Sequence, residues 1–324
     1  MKSAVGAVSR PVGTRLWART FGKATTCAPG GHPKTAPAKQ VGRWAALGLW
    51  LWLATACASA AVATPRPTVI TIAGSTALQP VLQDLTAAFT RAHPTVLFTL
   101  RGGGSTLGEQ QAVERRINLG ASSLFPPPAD APTARLVRTP IGIDGLAIVV
   151  HRSNPVASLS MDQLRQLFSG GILYWDAVGG NVAEVVLVSR EDGSGARRLF
   201  EDRVMDDHPV SLTAVVMPTS RDVVEYVGKT PSAIGYVSRG LVMVAASNTA
   251  TGGSPLGAEP DVRVVPIDDA LPTLEALRDQ SYPLIQPLYL VSWGESRGWS
   301  RQFIDFVLSP AGQTIVRRHH LPVR

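Results

Sequence analysis

Cysteine is nearly missing from this chain of 324 residues: only Cys27 and Cys57 occur, and both fall within the first 64 positions. The rest of the sequence therefore offers no disulfide, no thiolate metal site and no cysteine nucleophile. Acidic residues are absent from that same stretch, which holds eight basic ones: Lys2, Arg10, Arg15, Arg19, Lys23, Lys34, Lys39 and Arg43. With those eight set aside, 23 of the 31 Lys and Arg face all 24 Asp and Glu, a net charge of −1 against +7 for the whole chain. No basic field is left in the body to steer DNA or RNA, so nucleic acid is excluded as a partner. Histidines are few and scattered (His93, His151, His208, His319 and His320 in the body), without metal-ligand spacing. The adjacent pair His319-His320 does not share a helix face and reads as a solvated tail.

Nucleotide and hydrolase signatures are lacking too. Gly108 is followed by Glu109 where a Walker A loop needs Lys, and glycines 102, 104 and 108 are spaced one residue too widely for a dinucleotide fingerprint. There is no G-x-S-x-G nucleophile elbow. The sequence thus predicts no catalytic constellation, no metal site and no cofactor.

What is present begins with residues 44–63, WAALGLWLWLATACASAAVA, preceded by Arg43 and free of charge. An apolar core at about 44–56 followed by small residues has the layout of a secretory signal, so residues 1–64 are read as a leader and the protein as exported, periplasmic or cell-surface. Ala58-Ser59-Ala60 and Ala61-Val62-Ala63 offer cleavage sites. Ala54-Thr55-Ala56-Cys57 loosely resembles a lipoprotein box, which makes Cys57 a candidate lipid anchor. A retained anchor helix is the alternative.

After Pro65-Arg66-Pro67 the pattern alternates strand and helix. Strands are expected at 68–73, 95–100, 118–122, 143–151, 184–189, 213–217, 233–237, 262–267 and 288–292, with helices over 77–92, 105–117, 160–170, 194–204, 222–227, 274–278 and 296–308. Ser160 with Gln163 three positions on resembles a capping box, and Gly170 a helix stop. This alternation implies α/β layers with mostly parallel sheets.

Three strand-to-helix turns share one composition: Gly74-Ser75-Thr76, Gly102-Gly103-Gly104-Ser105-Thr106 and Asp192-Gly193-Ser194-Gly195. Each turn offers backbone N–H groups at a helix start, small hydroxyls and glycines that let an anion approach. Singly, each is equally an ordinary N-cap or turn. Together, with the planar fork of Arg190 beside the third, they point to an oxyanion site at the carboxyl ends of strands.

The stretches ITIAGSTALQPVL, RGGGST, IGIDGLAIVVHRSNPV, LSMDQLRQLFSGGILYWDAVGG, SREDGSGARRLFE, SAIGYVS and SYPLIQPLYLVS occur in that order. From about residue 68 to the C-terminus they resemble the phosphate-specific substrate-binding proteins of bacterial ABC transporters. The resemblance implies a two-lobed periplasmic-binding-protein fold with a ligand cleft between lobes. Residues 65–150 plus 236–324 would form the discontinuous first lobe, and 151–235 the second. It carries the ligand roles onto Ser75, Thr76, Ser105, Arg190, Ser194 and Gly195. Two departures stand out: Ser123 follows Ser122 where family members commonly have Asp or Arg, and Gly195-Ala196-Arg197 replaces Gly-Thr-Arg. With Ser123 taken as a ligand in its own right, Asp144 becomes the candidate acceptor for the proton of bound phosphate, or else a turn cap. The expected activity is non-covalent capture of inorganic phosphate by a monomer that serves a membrane permease. The alternatives are a sulfate-like oxyanion or a secreted phosphatase.

Overall fold

The computed structural model describes residues 66–242 and 261–323; the leader, its apolar stretch and Cys57 lie outside the described residues. Strand β1 (Thr68–Gly74) is β-branched and buries its second half. A short 3₁₀ turn leads into α1 (Gln79–Ala92), whose Pro80 lies in the first turn, where a missing N–H costs nothing. Val81, Leu82, Leu85 and Phe89 face the core at helical spacing. Strand β2 (Val96–Gly103) and strand β3 (Leu119–Ser122) flank β1, both parallel to it, with α2 (Gly104–Val113) between them in sequence. Three parallel neighbours end at one edge of the sheet, so the residues after β1, β2 and β3 converge there.

The longest element is β4 (Leu136–His151), seven residues longer at its start than the sequence predicts. Its first half pairs antiparallel with β9 (Ile285–Trp293), and its second half with β7 (Ala233–Ser238) and β8 (Val262–Val265). Side chains of a strand alternate faces. Leu146, Ile148 and Val150 accordingly enter a core with Phe168, Trp175 and Tyr236, while Ala147 and Val149 enter another with Val188, Val223 and Val227. Burial on both faces explains why this segment reads as an unbroken apolar run.

The second lobe sets β5 (Val186–Arg190) parallel to β7 and to β6 (Val215–Met217). It carries α3 (Met161–Ser169), α4 (Gly195–Phe200) and α5 (Ser220–Lys229). The Ser160–Gln163 capping box forms, and Gly170 ends α3 in the left-handed region at φ 83°. Val265, Ile267, Leu277, Tyr282 and Leu284, from the segment around helix α6 (Leu274–Arg278), join this lobe's core. The first lobe's core instead draws Ile70, Leu85 and Phe89 together with Leu288, Phe303 of α7 (Gly298–Leu308) and Val316 of α8 (Pro310–His319). The fold is thus two-lobed α/β. Its parallel pairings lie in the two wings, and antiparallel ones join them through β4 and β9.

The reading of His319-His320 as a solvated tail is overturned. Helix α8 and the short β10 (Leu321–Pro322), which pairs with Ile143 and Gly142, carry both rings inside, 5% and 1% exposed. His319 Nε2 lies 2.9 Å from Asp84 of α1, and His320 Nδ1 lies 3.1 Å from Asp144.

Candidate oxyanion site

Strand ends bring three hydroxyls together. Ser75 Oγ is 3.4 Å and Ser105 Oγ 3.3 Å from Ser123 Oγ, and the Ser123 N–H donates to Ser105 Oγ at 3.1 Å. All three residues are buried. The chain approaches this closely because the Ser75 N–H donates to the Ala121 carbonyl at 2.9 Å, pinning the β1 turn to β3. Gly103 and Gly104 take φ of 109° and 83° where β2 turns into α2, conformations that favour glycine.

The second lobe closes on this cluster from the other side. A Cβ at Gly195 would collide with Ser123 Oγ and Ser105 Oγ, so only glycine lets the α4 turn reach the serines. Ser194 caps α4, its Oγ accepting from the Arg197 N–H at 3.3 Å, which leaves its own proton to donate. The Thr106 N–H donates to the Gly193 carbonyl at 3.1 Å, joining the second and third glycine turns directly.

Arg190 is 1% exposed and is the centre of a second group. Its Nη2 donates to Thr76 Oγ1 at 3.2 Å and its Nη1 to Ser220 Oγ at 2.8 Å; the two oxygens are 3.3 Å apart. The fork is also held by Glu191, Nε to Oε2 at 3.1 Å and Nη2 to Oε1 at 2.9 Å. Arg190 therefore enters the site as half of an ion pair, not as a lone cation. Its backbone N–H donates to the Tyr236 hydroxyl at 3.3 Å, and that hydroxyl lies 2.7 Å from Ser189 Oγ. Burial pushes the Tyr236 phenol up to about 12, so it stays a neutral hydrogen-bonding support at physiological pH.

Asp144 does not join either group. It is fully buried on β4 opposite Gln286, whose Nε2 donates to one carboxylate oxygen at 3.0 Å, while His320 Nδ1 meets the other at 3.1 Å. Burial alone would raise its pKa. The His320 ring, with hydrogen bonds from His320, Ser238 and Gln286, outweighs burial and holds it below the ordinary carboxylate value. Asp144 is a fixed anion of the β4–β9–β10 junction, and its described hydrogen bonds run to Gln286 and His320 instead of to the serine cluster.

Sequence reasoning missed Ser220 and Glu191. The turn Pro218-Thr219-Ser220 follows β6 as a fourth strand-to-helix turn with hydroxyls, and Thr219 with Asp222 forms a capping box that starts α5 two residues before the expected Asp222. Without a glycine it lacked the composition that singled out the other three.

The chain can be placed beside known proteins on this geometry. A family model described as the PBP superfamily domain matches residues 61–311. The phosphate-binding protein PstS of Bacillus subtilis is 26% identical over 241 residues, 74% of this chain and 75% of the relative. A structure from Clostridium perfringens, described as that of a phosphate ABC transporter substrate-binding protein with bound phosphate, is 30% identical with a TM-score of 0.70, covering 79% of this chain and 100% of that one. An ABC-type phosphate transport receptor from Vibrio cholerae is 25% identical with a TM-score of 0.61, at 79% and 100% coverage. The chain belongs to the PBP superfamily, in its group of phosphate ABC transporter substrate-binding proteins.

Proposed function

We propose that this protein captures inorganic phosphate non-covalently between its lobes and delivers it to the permease of an ABC transporter. The observation that carries this reading is the buried Ser75, Ser105 and Ser123 hydroxyl cluster pressed against Gly195, with Arg190 bonded to Thr76 beside it. Hydroxyls, glycine-exposed N–H groups and a guanidinium suit a tetrahedral oxyanion, and the relatives named for phosphate support that identity. Ser75, Thr76, Ser105, Ser123, Arg190, Ser194 and Gly195 would supply the donors. The reading is one of binding without catalysis, which the substrate-binding relatives support. Isothermal titration of the purified protein with phosphate tests the reading, with saturable one-to-one binding expected. No heat and no protection against thermal unfolding would refute it.

The two lobes close on the ligand as a monomer, the first built on β1–β3 and β9 and the second on β5–β7. The chain acts outside the cytoplasm, after a leader removed between Cys57 and Pro65 or lipidated at Cys57. Among the described residues no helix is long and apolar enough to cross a membrane. Intact-mass analysis of protein exported by its native host checks this: a soluble product retaining residues 1–40 would exclude it.

A further inference from the structure

Hydrogen phosphate differs from sulfate and from an ionised phosphomonoester in carrying a proton, and a site that demands that proton needs an acceptor such as a carboxylate. Among the described residues no carboxylate is hydrogen-bonded to the Ser75, Ser105 and Ser123 hydroxyls. Glu109, on the neighbouring helix α2, accepts from Ser122 Oγ at 2.7 Å and from Arg138 at 2.8 Å. Glu191 is forked by Arg190, and Asp144 is held by Gln286 and His320. The group that faces Ser75 and Ser105 is the Ser123 hydroxyl, which donates to an anion as readily as it accepts.

The cluster also has space beside it. A chamber of about 390 Å³ starts at Ser123, Thr106 and Gly195 and runs between α2 and α4 under the loop Phe125–Pro128. Leu124, Phe125 and Leu199 give it an apolar wall. Its charged rim is internally matched, Arg198 with Asp202, Asp192 with Arg197 and Glu109 with Arg138, so it sets no demand for a charged occupant. A free phosphate held at the serines does not need this volume. An oxyanion with one oxygen substituted needs it, and such a dianion has no proton to give.

We propose that the site admits small phosphomonoesters alongside free phosphate, with the phosphoryl oxygens at the hydroxyl cluster and an uncharged substituent in the chamber between α2 and α4. This rests on the oxyanion reading above and deepens it: Ser123 sets the specificity by accepting anions without reading their protonation. The same hydroxyl admits sulfate.

Titration of the full chain at pH 8 with phosphate, sulfate and phenyl phosphate tests it; a monoester, with its second pKa near 6, is then fully ionised. Phenyl phosphate and sulfate are expected to bind within about tenfold of phosphate. Leu124→Trp, on the apolar chamber wall, should weaken phenyl phosphate at least about tenfold and leave phosphate unchanged. Arg198→Trp, on the exposed rim of the same chamber, serves as a second chamber-filling variant should the first fail to fold. Ser123→Asp, which installs the acceptor, should turn the site toward phosphate and against both other ligands. The inference is overturned by phosphate binding with phenyl phosphate about a hundredfold weaker, or by ester affinity that neither tryptophan changes. Phosphate binding without ester binding would sink this inference and leave the proposed function standing; binding of neither would sink both.

Discussion

Two of the contacts of Arg190 pull its role in opposite directions. Toward the first lobe it donates to Thr76, and within its own turn it is neutralised by Glu191. Arg190→Ala should weaken phosphate binding by about 2–4 kcal/mol, the range for truncating one partner of a buried charged contact. A loss below about tenfold in a titration, roughly 1.4 kcal/mol, would remove Arg190 from the ligand set. Glu191→Gln should act with the opposite sign. It keeps a hydrogen-bond partner for the guanidinium but removes one negative charge beside the incoming dianion, so binding should tighten about threefold to tenfold at low salt. The gain should shrink as salt is added, since Glu191 is partly exposed and screened. A variant that binds more weakly than the parent would mean that Glu191 itself contacts the ligand favourably.

At the scale of elements, α8 and β10 show where the sequence was legible and where it was not. Strand β1, helix α1 and the α3 capping box were readable because their signals are local: β-branched runs, apolar spacing, and a Ser with Gln three residues on. Strand β4 was read only from Ile143, because its first half, Leu136–Gly142, carries Arg138, Thr139 and Pro140 and owes its strand state to pairing with β9. The convergence of three glycine turns was legible from composition, whereas Ser220 and Glu191 were not, since their roles depend on where Arg190 points in space. The two histidines were misplaced for the same reason, as nothing local announces that β10 will pair with β4 and carry them inside. Their burial has a pH consequence. Burial lowers the His319 pKa below its ordinary 6.5, outweighing the opposing hydrogen bond to Asp84, and Asp144 lies below its ordinary 3.8. In both cases the unfolded chain binds more protons on acidification, so stability falls with pH. The loss should begin below about pH 6.5 through His319 and deepen below about pH 3.8 through Asp144. Thermal unfolding followed from pH 8 to pH 3 checks this, and His319→Leu should remove the upper step alone. An unfolding temperature flat between pH 7 and pH 5 would contradict the His319 assignment.

For the whole molecule, the described contacts across the cleft include specific polar ones that a closing motion could make and break. They include the Thr106 N–H to the Gly193 carbonyl, Thr76 with Ser220 and Arg190, and Arg203 over the Phe125 ring at 5.9 Å. None is an extensive apolar interface, so opening the cleft exposes little core, and a bound anion bridging both serine turns can shift the balance. Gly195 gives a clean way to test that closure. Its backbone is helical with no positive φ, so alanine is conformationally acceptable there, yet a Cβ would strike Ser123 and Ser105 in the opposite lobe. Gly195→Ala should therefore fold normally and hold the lobes apart, losing phosphate affinity by more than about tenfold. Small-angle scattering should show the parent contracting on saturation with phosphate and the variant retaining its larger radius of gyration at any phosphate concentration. A parent radius that does not change while titration reports binding would argue for a site completed on one lobe, and a variant that contracts normally would mean that the serine cluster does not meet the α4 turn in the bound state.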